Sequence, residues 1–326
     1  RFNKRNEIKM VEHNNEYKEK RNLSEIGIKY GIFFLIVTIL QILLAGLASL
    51  KKEYISGENQ IILVFLILIL SMYVIGYPIL CILLRKVPKE NIKENHLGVS
   101  RFIKGLFCMF GILLIGVIIG QVFNKSINSL LNISSTSSNI MERIDTINPI
   151  YSAITVGILG PIFEELIFRK KLIDCTIKYG ENVAILASGI MFGLFHASVT
   201  QFFYATGLGM LWAYVYIKTG RIRYSIIYHM INNLTVSVLM VEIVKQLDIL
   251  EDSNMSMATA FCLFFLIVIG CLLFIGILYV IKNMKRFWGI MKMYNVKNAA
   301  KILIKSRGMW FYYILCVLMI IEGYVK

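Results

Sequence analysis

The sequence predicts an all-α fold, a polytopic membrane helix bundle with about eight or nine transmembrane helices. The 326 residues are 57% hydrophobic and have a mean hydropathy of +0.67, whereas soluble domains are roughly 45–50% apolar. Several apolar runs reach the ~20 residues that a helix needs to cross a bilayer. Basic loops alternate with loops that hold few cations, as expected of a chain that crosses a membrane repeatedly.

The spans are assigned in chain order from these apolar runs. Residues 1–29 carry eight Lys or Arg residues and do not resemble a cleavable signal peptide, so the positive-inside rule places the N-terminus in the cytoplasm. An alternating path then agrees with every loop, including the cation-poor 124–148 and the acidic 248–256. The last span is short and contains Glu322, so it either crosses the membrane or lies in its interface. The predicted spans are 28–50, 61–84, 103–123, 150–174, 182–199, 201–218, 223–247, 257–282 and 309–325.

The net charge of +15 is explained by this arrangement, because basic loops face anionic lipid. Membrane lipid is therefore an expected partner and nucleic acid is not. Segment 286–308 mixes basic and apolar residues, and it is either an amphipathic helix on the inner leaflet or a basic linker. The six cysteines are scattered without a CxxC pair, which indicates buried apolar residues and neither disulfides nor a zinc cluster.

A pair of glutamates, Glu164 and Glu165, lies within the fourth apolar span. A carboxylate at membrane depth is costly unless it is paired or hydrated, so it marks a functional site by default. Arg169 lies four residues after Glu165 on the same helix face, in the order that favours an ion pair. Glu164 is rotated by about 100° and lacks such a partner, so we expect it to face the bundle as a general base on water. The alternative is a charged cluster that only stabilises packing.

A histidine on the next span is expected at the same depth as Glu164. Gly180 lies at the turn between the two spans, with Glu164 sixteen residues before it and His196 sixteen residues after it. In an antiparallel hairpin both residues lie roughly 20 Å from the turn. Phe192 shares a helix face with His196. The alternative is a packed histidine that bonds to a carbonyl group.

A third pattern, His229-x-x-x-Asn233, follows on the span after that. Both side chains share one face and can donate hydrogen bonds to a developing oxyanion; they can also simply join neighbouring helices. Asn232 is expected to point about 100° away. Because His229 follows Arg223 closely, counting residues places it nearer the membrane surface than His196. A tilted helix or a water-filled cavity would reconcile this count with a shared site.

A zinc site is an alternative use of the same residues. His196, His229 and the Glu164 carboxylate would form a His₂Glu set, which leaves one position for water. The helical HExxH motif is absent, and these ligands would come from three helices. Bound Zn²⁺ and no cofactor therefore both remain open.

The three motifs in this order resemble the type II CAAX prenyl endopeptidases and their bacterial relatives. These are the CPBP (Abi) intramembrane proteases, which include lysostaphin-resistance-protein-A-like and bacteriocin-immunity members. The resemblance covers about residues 150–240, and the basic-then-apolar stretch 297–325 is also similar to many members. The EExxxR, FxxxH and HxxxN motifs of the family correspond to Glu164, Glu165 and Arg169, to Phe192 and His196, and to His229 and Asn233.

The resemblance implies a helix bundle with a central, conical cavity that is open to one side. It implies that Glu164 and His196 activate the attacking water and that His229 and Asn233 form the oxyanion hole, by either a metalloprotease or a metal-free glutamate mechanism. Lys170 departs from the family, in which many members have Gly after the Arg. We expect this change to affect only packing or the membrane boundary.

The implied protein is an intramembrane endopeptidase, a hydrolase of the bacterial cell membrane. Its expected substrate is a peptide or membrane-associated protein, such as a leader, a pheromone precursor or a bacteriocin-type peptide. One alternative is a non-catalytic immunity or scaffold protein that keeps the motif residues to bind a peptide. An ion-coupled transporter is another, although the remaining spans hold almost no carboxylates.

The chain then divides into four parts. A cytoplasmic basic segment and the N-terminal transmembrane helices precede the catalytic core, and C-terminal transmembrane helices with the amphipathic basic segment follow it. The boundaries are 1–29, 30–147, 148–247 and 248–326.

Overall fold

The computed structural model describes residues 2–49, 58–133, 149–240, 243, 257–285 and 296–325. Within these ranges all regular secondary structure is helical, in agreement with the predicted all-α fold. The described residues form ten helices, which are α1 (Phe2–Ser49), α2 (58–83), α3 (Val99–Leu131), α4 (Pro149–Tyr179), α5 (Glu181–Phe195), α6 (Val199–Thr219), α7 (Ile222–Asn233, continued by π-helical turns at Leu234–Leu239), α8 (Met257–Lys282), α9 (Val296–Lys305) and α10 (Arg307–Val325).

Five of the described helices are long and apolar enough to cross a membrane, and the chain is an integral membrane protein. They are Asn22–Ser49 of α1, Ile62–Leu83 of α2, all of α3 and α4, and Ala260–Lys282 of α8. The bent pair α9–α10 becomes a sixth if it is counted as one span, with an angle of 82° between its halves. The number of eight or nine spans thus stays a prediction.

The predicted number of spans exceeds the five or six candidates mainly because α5, α6 and α7 were each predicted to cross the membrane. The 15 residues of α5 extend only about 22 Å, less than the ~30 Å hydrocarbon core. The 21 residues of α6 are long enough but less apolar than the five spans. These helices carry polar residues that are buried against protein, so their sequences need not be as apolar as a lipid-facing helix.

Small residues allow the helices to approach closely, as is common in membrane bundles. Gly116 of α3 lies against the backbone of Tyr204 in α6, and Gly111 of α3 lies against Gly276 of α8. Gly27 of α1 meets Gly308 of α10 in the same way. The aromatic core between these helices includes Tyr30, Phe33, Phe168, Phe192, Trp212 and Tyr312.

Two tight turns, each with a glycine at positive φ, connect the central helices into hairpins. Gly180, with φ of 109°, joins α4 to α5, and Gly220, with φ of 61°, joins α6 to α7. Both angles lie in the region that favours glycine. The segment over 84–98 crosses this end of the bundle, where the Asn95 N–H donates to the Thr219 carbonyl at 2.8 Å and Glu94 pairs with Arg221.

Only the second part of the predicted amphipathic segment 286–308 is described, since 286–295 lies outside the described residues. Helix α9 buries Ala299 and Leu303 and exposes Lys301 and Lys305. The helix is therefore present, as the amphipathic interpretation predicts. Its apolar face packs partly on α5.

Candidate active site

The glutamate pair lies in a short α-helical stretch of α4 between two π-helical stretches. Residues Gly160–Glu165 are α-helical, and π-helical turns occupy Ala153–Leu159 before them and Leu166–Lys171 after them. Such turns often occur at functional sites. Pro161 cannot donate a backbone hydrogen bond, so a regular α-helix is weakened where the carboxylates must be presented.

Glu165 is held by two cationic or potentially cationic side chains. Its Oε2 lies 3.0 Å from Nε of Arg169, and both side chains are fully buried. Its Oε1 lies 3.0 Å from Nδ1 of His229. Because an ionised carboxylate only accepts hydrogen bonds, Nδ1 of His229 is the donor. The ion pair expected from the spacing is present, and His229 is an additional partner from another helix.

The Arg169 guanidinium is enclosed by aromatic rings. It lies over the ring of Phe192 at 4.4 Å and over that of Trp212 at 5.5 Å. Its Nη1 also donates to the Ser188 hydroxyl at 3.4 Å, which in turn donates to the Phe168 carbonyl. These contacts give Phe192 a physical role, because it supports the cation that neutralises Glu165.

Glu164 differs from Glu165 in its surroundings. Its side chain is 17% exposed, and its Oε2 lies 3.7 Å from Nε2 of His229, beyond hydrogen-bonding distance. Among the described residues it has no ion pair with Lys or Arg and accepts no hydrogen bond. It is therefore the carboxylate of the pair that can accept a proton from a bound molecule.

His196 follows the last residue of α5. Its Nδ1 donates to the Phe192 carbonyl at 2.9 Å, because a carbonyl oxygen only accepts. Nε2 is then the ring atom with a free lone pair. The next residue, Ala197, has φ of 47° and turns the chain sharply into α6. The bond to a carbonyl is the one that the packing alternative predicts, yet it also fixes the ring orientation.

The hairpin about Gly180 has the register expected from counting. Phe168 and Phe192 each lie twelve residues from Gly180, and their ring centroids are 5.4 Å apart. The equal depth of Glu164 and His196 stays a prediction. The Phe192 ring also contacts both histidines, with centroid distances of 4.8 Å to His196 and 5.6 Å to His229.

His229 lies beside the glutamate pair despite its early position in α7. It contacts Glu165 and Phe192. The cause is the second hairpin, in which His229 stacks on Trp212 of α6 with centroids 4.2 Å apart. Trp212 was not found from the sequence, since it belongs to none of the three motifs.

Asn233 lies one turn after His229 and is fixed from both sides. One of its Nδ2 hydrogens goes to the Val156 carbonyl at 3.0 Å, and its Oδ1 accepts from Asn232 at 3.1 Å. Asn232, the preceding residue of the helix, thus helps to orient Asn233. The second Nδ2 hydrogen of Asn233 remains available to a ligand.

The zinc alternative stays a prediction. In the described part of the chain, no three His, Cys, Asp or Glu side chains are grouped so that they could hold a metal ion. Nδ1 of each histidine is bonded to protein, which leaves Nε2 as the ring atom that would coordinate a metal. The reaction proposed below uses no metal. An apolar groove of about 320 Å³ lies elsewhere, between α1 and α2, and the central cavity stays a prediction.

Comparisons with known proteins support the family resemblance that the three motifs indicate. The family model "Type II CAAX prenyl endopeptidase Rce1-like" matches residues 146–235, which include all seven motif residues. A Bacillus subtilis (strain 168) protein named "Putative membrane peptidase YdiL" is 30% identical over 187 residues, covering 55% of this chain and 72% of that protein. No solved structure matches the chain. The chain therefore belongs to the Rce1-like type II CAAX prenyl endopeptidase family, the CPBP family indicated by its motifs.

Proposed function

We propose that the protein is an intramembrane endopeptidase that hydrolyses a peptide bond with water activated by Glu164 and His196. The observation that carries this proposal is the difference in bonding between the Glu165 and Glu164 carboxylates. Arg169 and His229 occupy both oxygens of Glu165. Glu164 is partly exposed, lies 3.7 Å from His229, and accepts no hydrogen bond from any described residue. One acid is thereby structural and the other is free to transfer protons.

The proposed reaction begins with a water between Glu164 and His196. The carboxylate of Glu164 takes one proton, and the Nε2 lone pair of His196 accepts a hydrogen bond from the same water. The hydroxide attacks the substrate carbonyl carbon and forms a tetrahedral oxyanion. Glu164 then gives its proton to the leaving amine as the C–N bond breaks, which releases a carboxylic acid and an amine. A positioned acid–base group of this kind contributes about 10²–10⁴-fold to the rate.

His229 and Asn233 are the proposed donors to the oxyanion. Asn233 offers its second Nδ2 hydrogen, with the amide held by Val156 and Asn232. His229 must carry a proton on Nε2 as well as on Nδ1 to donate. The Glu165 carboxylate that accepts from Nδ1 favours this protonated state, and the burial of the ring opposes it. Donors that are fixed before the reaction stabilise the transition state most strongly.

The proposed substrate is a peptide or a membrane-associated protein of the bacterial cell membrane. The related protein is named a membrane peptidase, and the site lies among helices that are buried within the bundle. A leader, a pheromone precursor or a bacteriocin-type peptide has the required chemistry. Membrane lipid is the other proposed partner, through the exposed lysines of α9.

The test is incorporation of ¹⁸O. The purified protein in lipid vesicles is incubated in H₂¹⁸O with a synthetic library of apolar and mixed peptides, and new C-termini are read by mass spectrometry. Wild type should produce ¹⁸O-labelled C-termini, and Glu164→Gln should lower their rate by about 10²-fold or more. Glu181→Gln is the matched control, because Glu181 is an exposed carboxylate paired with Lys218.

Two results would contradict the proposal. Labelled termini formed at equal rates by wild type and Glu164→Gln would remove Glu164 from the chemistry. No labelled termini from any variant would favour the scaffold alternative. The same incubation is repeated with a metal chelator, which should leave the wild-type rate unchanged because the proposed reaction uses no metal. A rate that falls in chelator would favour the zinc alternative.

A further inference from the structure

Tyr73 of α2 packs beside the glutamate pair but belongs to none of the motifs. Its ring is stacked on that of Phe163, with centroids 4.4 Å apart and planes 10° apart. Phe163 directly precedes Glu164 in α4. The π-helical turn Leu70–Gly76 is centred on Tyr73, so the helix is widened at the point where this tyrosine meets α4.

The Tyr73 hydroxyl and the Glu164 carboxylate face the same space. A Cβ atom on Gly160 would lie 3.5 Å from the Tyr73 hydroxyl oxygen and 3.7 Å from Oε1 of Glu164. Since these distances add to 7.2 Å, the two oxygens are at most that far apart. Gly160 has no side chain to separate them, and one water bridges two oxygens that are up to about 5.6 Å apart, a separation within this bound.

The two groups are chemically complementary. Among the described residues neither the Tyr73 hydroxyl nor Glu164 has a hydrogen-bond partner, and a phenol donates where a carboxylate accepts. The two oxygens of Glu164 also point in different directions, because Oε2 faces His229 at 3.7 Å. A donor at Oε1 therefore fixes the carboxylate without blocking the oxygen that faces the histidine.

We propose that Tyr73 is a positioning residue for Glu164, and that its hydroxyl donates a hydrogen bond to Oε1 through one water. Oε2 is thereby held towards His229 and the attacking water. The role of Oε2 in this inference rests on the proposed function. The hydrogen bond itself does not, so it can be tested without a substrate.

The chain offers a matched control in Tyr77. It lies one turn after Tyr73 on the same helix, and its ring also contacts Phe163, at 5.8 Å and 76°. Replacing either tyrosine with phenylalanine keeps the ring and its contact with Phe163. Only the change at Tyr73 removes a hydroxyl that faces Glu164.

The experiment compares infrared spectra of the full-length protein in lipid vesicles. The carboxyl stretching band of Glu164, protonated or ionised, is the band that Glu164→Gln removes. We expect Tyr73→Phe to shift that band, to higher wavenumber for the protonated group, because a hydrogen bond to the carboxyl is lost. Tyr77→Phe should leave it in place. An unshifted band in Tyr73→Phe overturns the inference, whatever the protein hydrolyses.

A kinetic comparison separates positioning from packing. For one synthetic peptide drawn from the cleaved library, Tyr73→Phe should lower kcat by about tenfold or more, as expected for losing one hydrogen bond to a charged group. KM should stay unchanged, and Tyr77→Phe should match wild type in both constants. Equal kcat for Tyr73→Phe and wild type would overturn the positioning role while leaving the hydrolysis by Glu164 intact.

Discussion

Replacing Arg169 with methionine leaves the Glu165 carboxylate buried without its closest cation. Both side chains of this pair are fully buried, with Nε and Oε2 3.0 Å apart. Removing one partner of a buried ion pair costs about 3–5 kcal/mol, because the remaining charge is uncompensated. The guanidinium also lies 4.4 Å from the Phe192 ring centroid, a contact that contributes about 0.5–2 kcal/mol. The charge is therefore the larger part of the expected loss.

The assay is thermal unfolding of the purified protein in detergent, followed by the reaction of buried cysteines with a fluorogenic maleimide. Cys175 and Cys316 are fully buried in the described structure and become reactive only on unfolding. We expect Arg169→Met to lower the midpoint temperature by roughly 6 °C or more. Arg169→Lys keeps the charge and loses only the planar stacked group, so its effect should be smaller.

A double variant separates the stability lost through the unpaired charge from the stability lost through altered packing. Removing both charges, in Glu165→Gln with Arg169→Met, should restore part of the stability lost by Arg169→Met alone. The coupling energy should reach about 1–3 kcal/mol, since the two residues are in contact. A midpoint for Arg169→Met equal to that of wild type, or strictly additive effects, would refute the view that the pair exists to neutralise a buried carboxylate.

Gly27→Ala should destabilise the protein by about 1–3 kcal/mol, because its Cβ would collide with the backbone of Gly308 in α10. Gly46→Ala, on the same helix with no atom within 4 Å of its Cβ, should be neutral or slightly stabilising; equal losses in the maleimide assay would contradict this account. Tyr216→Phe should cost about 1.5–3 kcal/mol in the same assay, because its hydroxyl donates to the buried Asp174 carboxylate at 2.8 Å. An unchanged midpoint would show that this bond adds nothing to stability.

Local spacing on one helix was enough to predict part of the site. Glu165 and Arg169 are four residues apart, so their pairing follows from helix geometry alone. Equal counts about Gly180 agree with the contact between Phe168 and Phe192, because both arms of the hairpin are helical. The widened turns of α4 do not disturb this register where Phe168 meets Phe192.

Contacts between helices from different hairpins could not be predicted in the same way. The position of His229 depends on how α7 lies against α4 and α6, and residue counting from Arg223 contains no information on that packing. The same is true of Val156, whose backbone carbonyl binds Asn233. A backbone group has no sequence signature. The number of spans could not be predicted for a related reason. Hydropathy does not distinguish a lipid-facing helix from one that is buried among other helices.

The buried ion pair also bears on how the protein enters the membrane. Helix α4 has the lowest mean hydropathy of the five candidate spans, 1.5 against 2.5 to 3.1 for the others. Each charge at the centre of a lone helix adds about 2.5–3.5 kcal/mol to the cost of insertion. The residues that enclose Arg169 and Glu165 come from α5, α6 and α7, which are synthesised later. We therefore expect α4 to wait at the insertion machinery until these helices emerge, and to pass into the lipid with them as one unit.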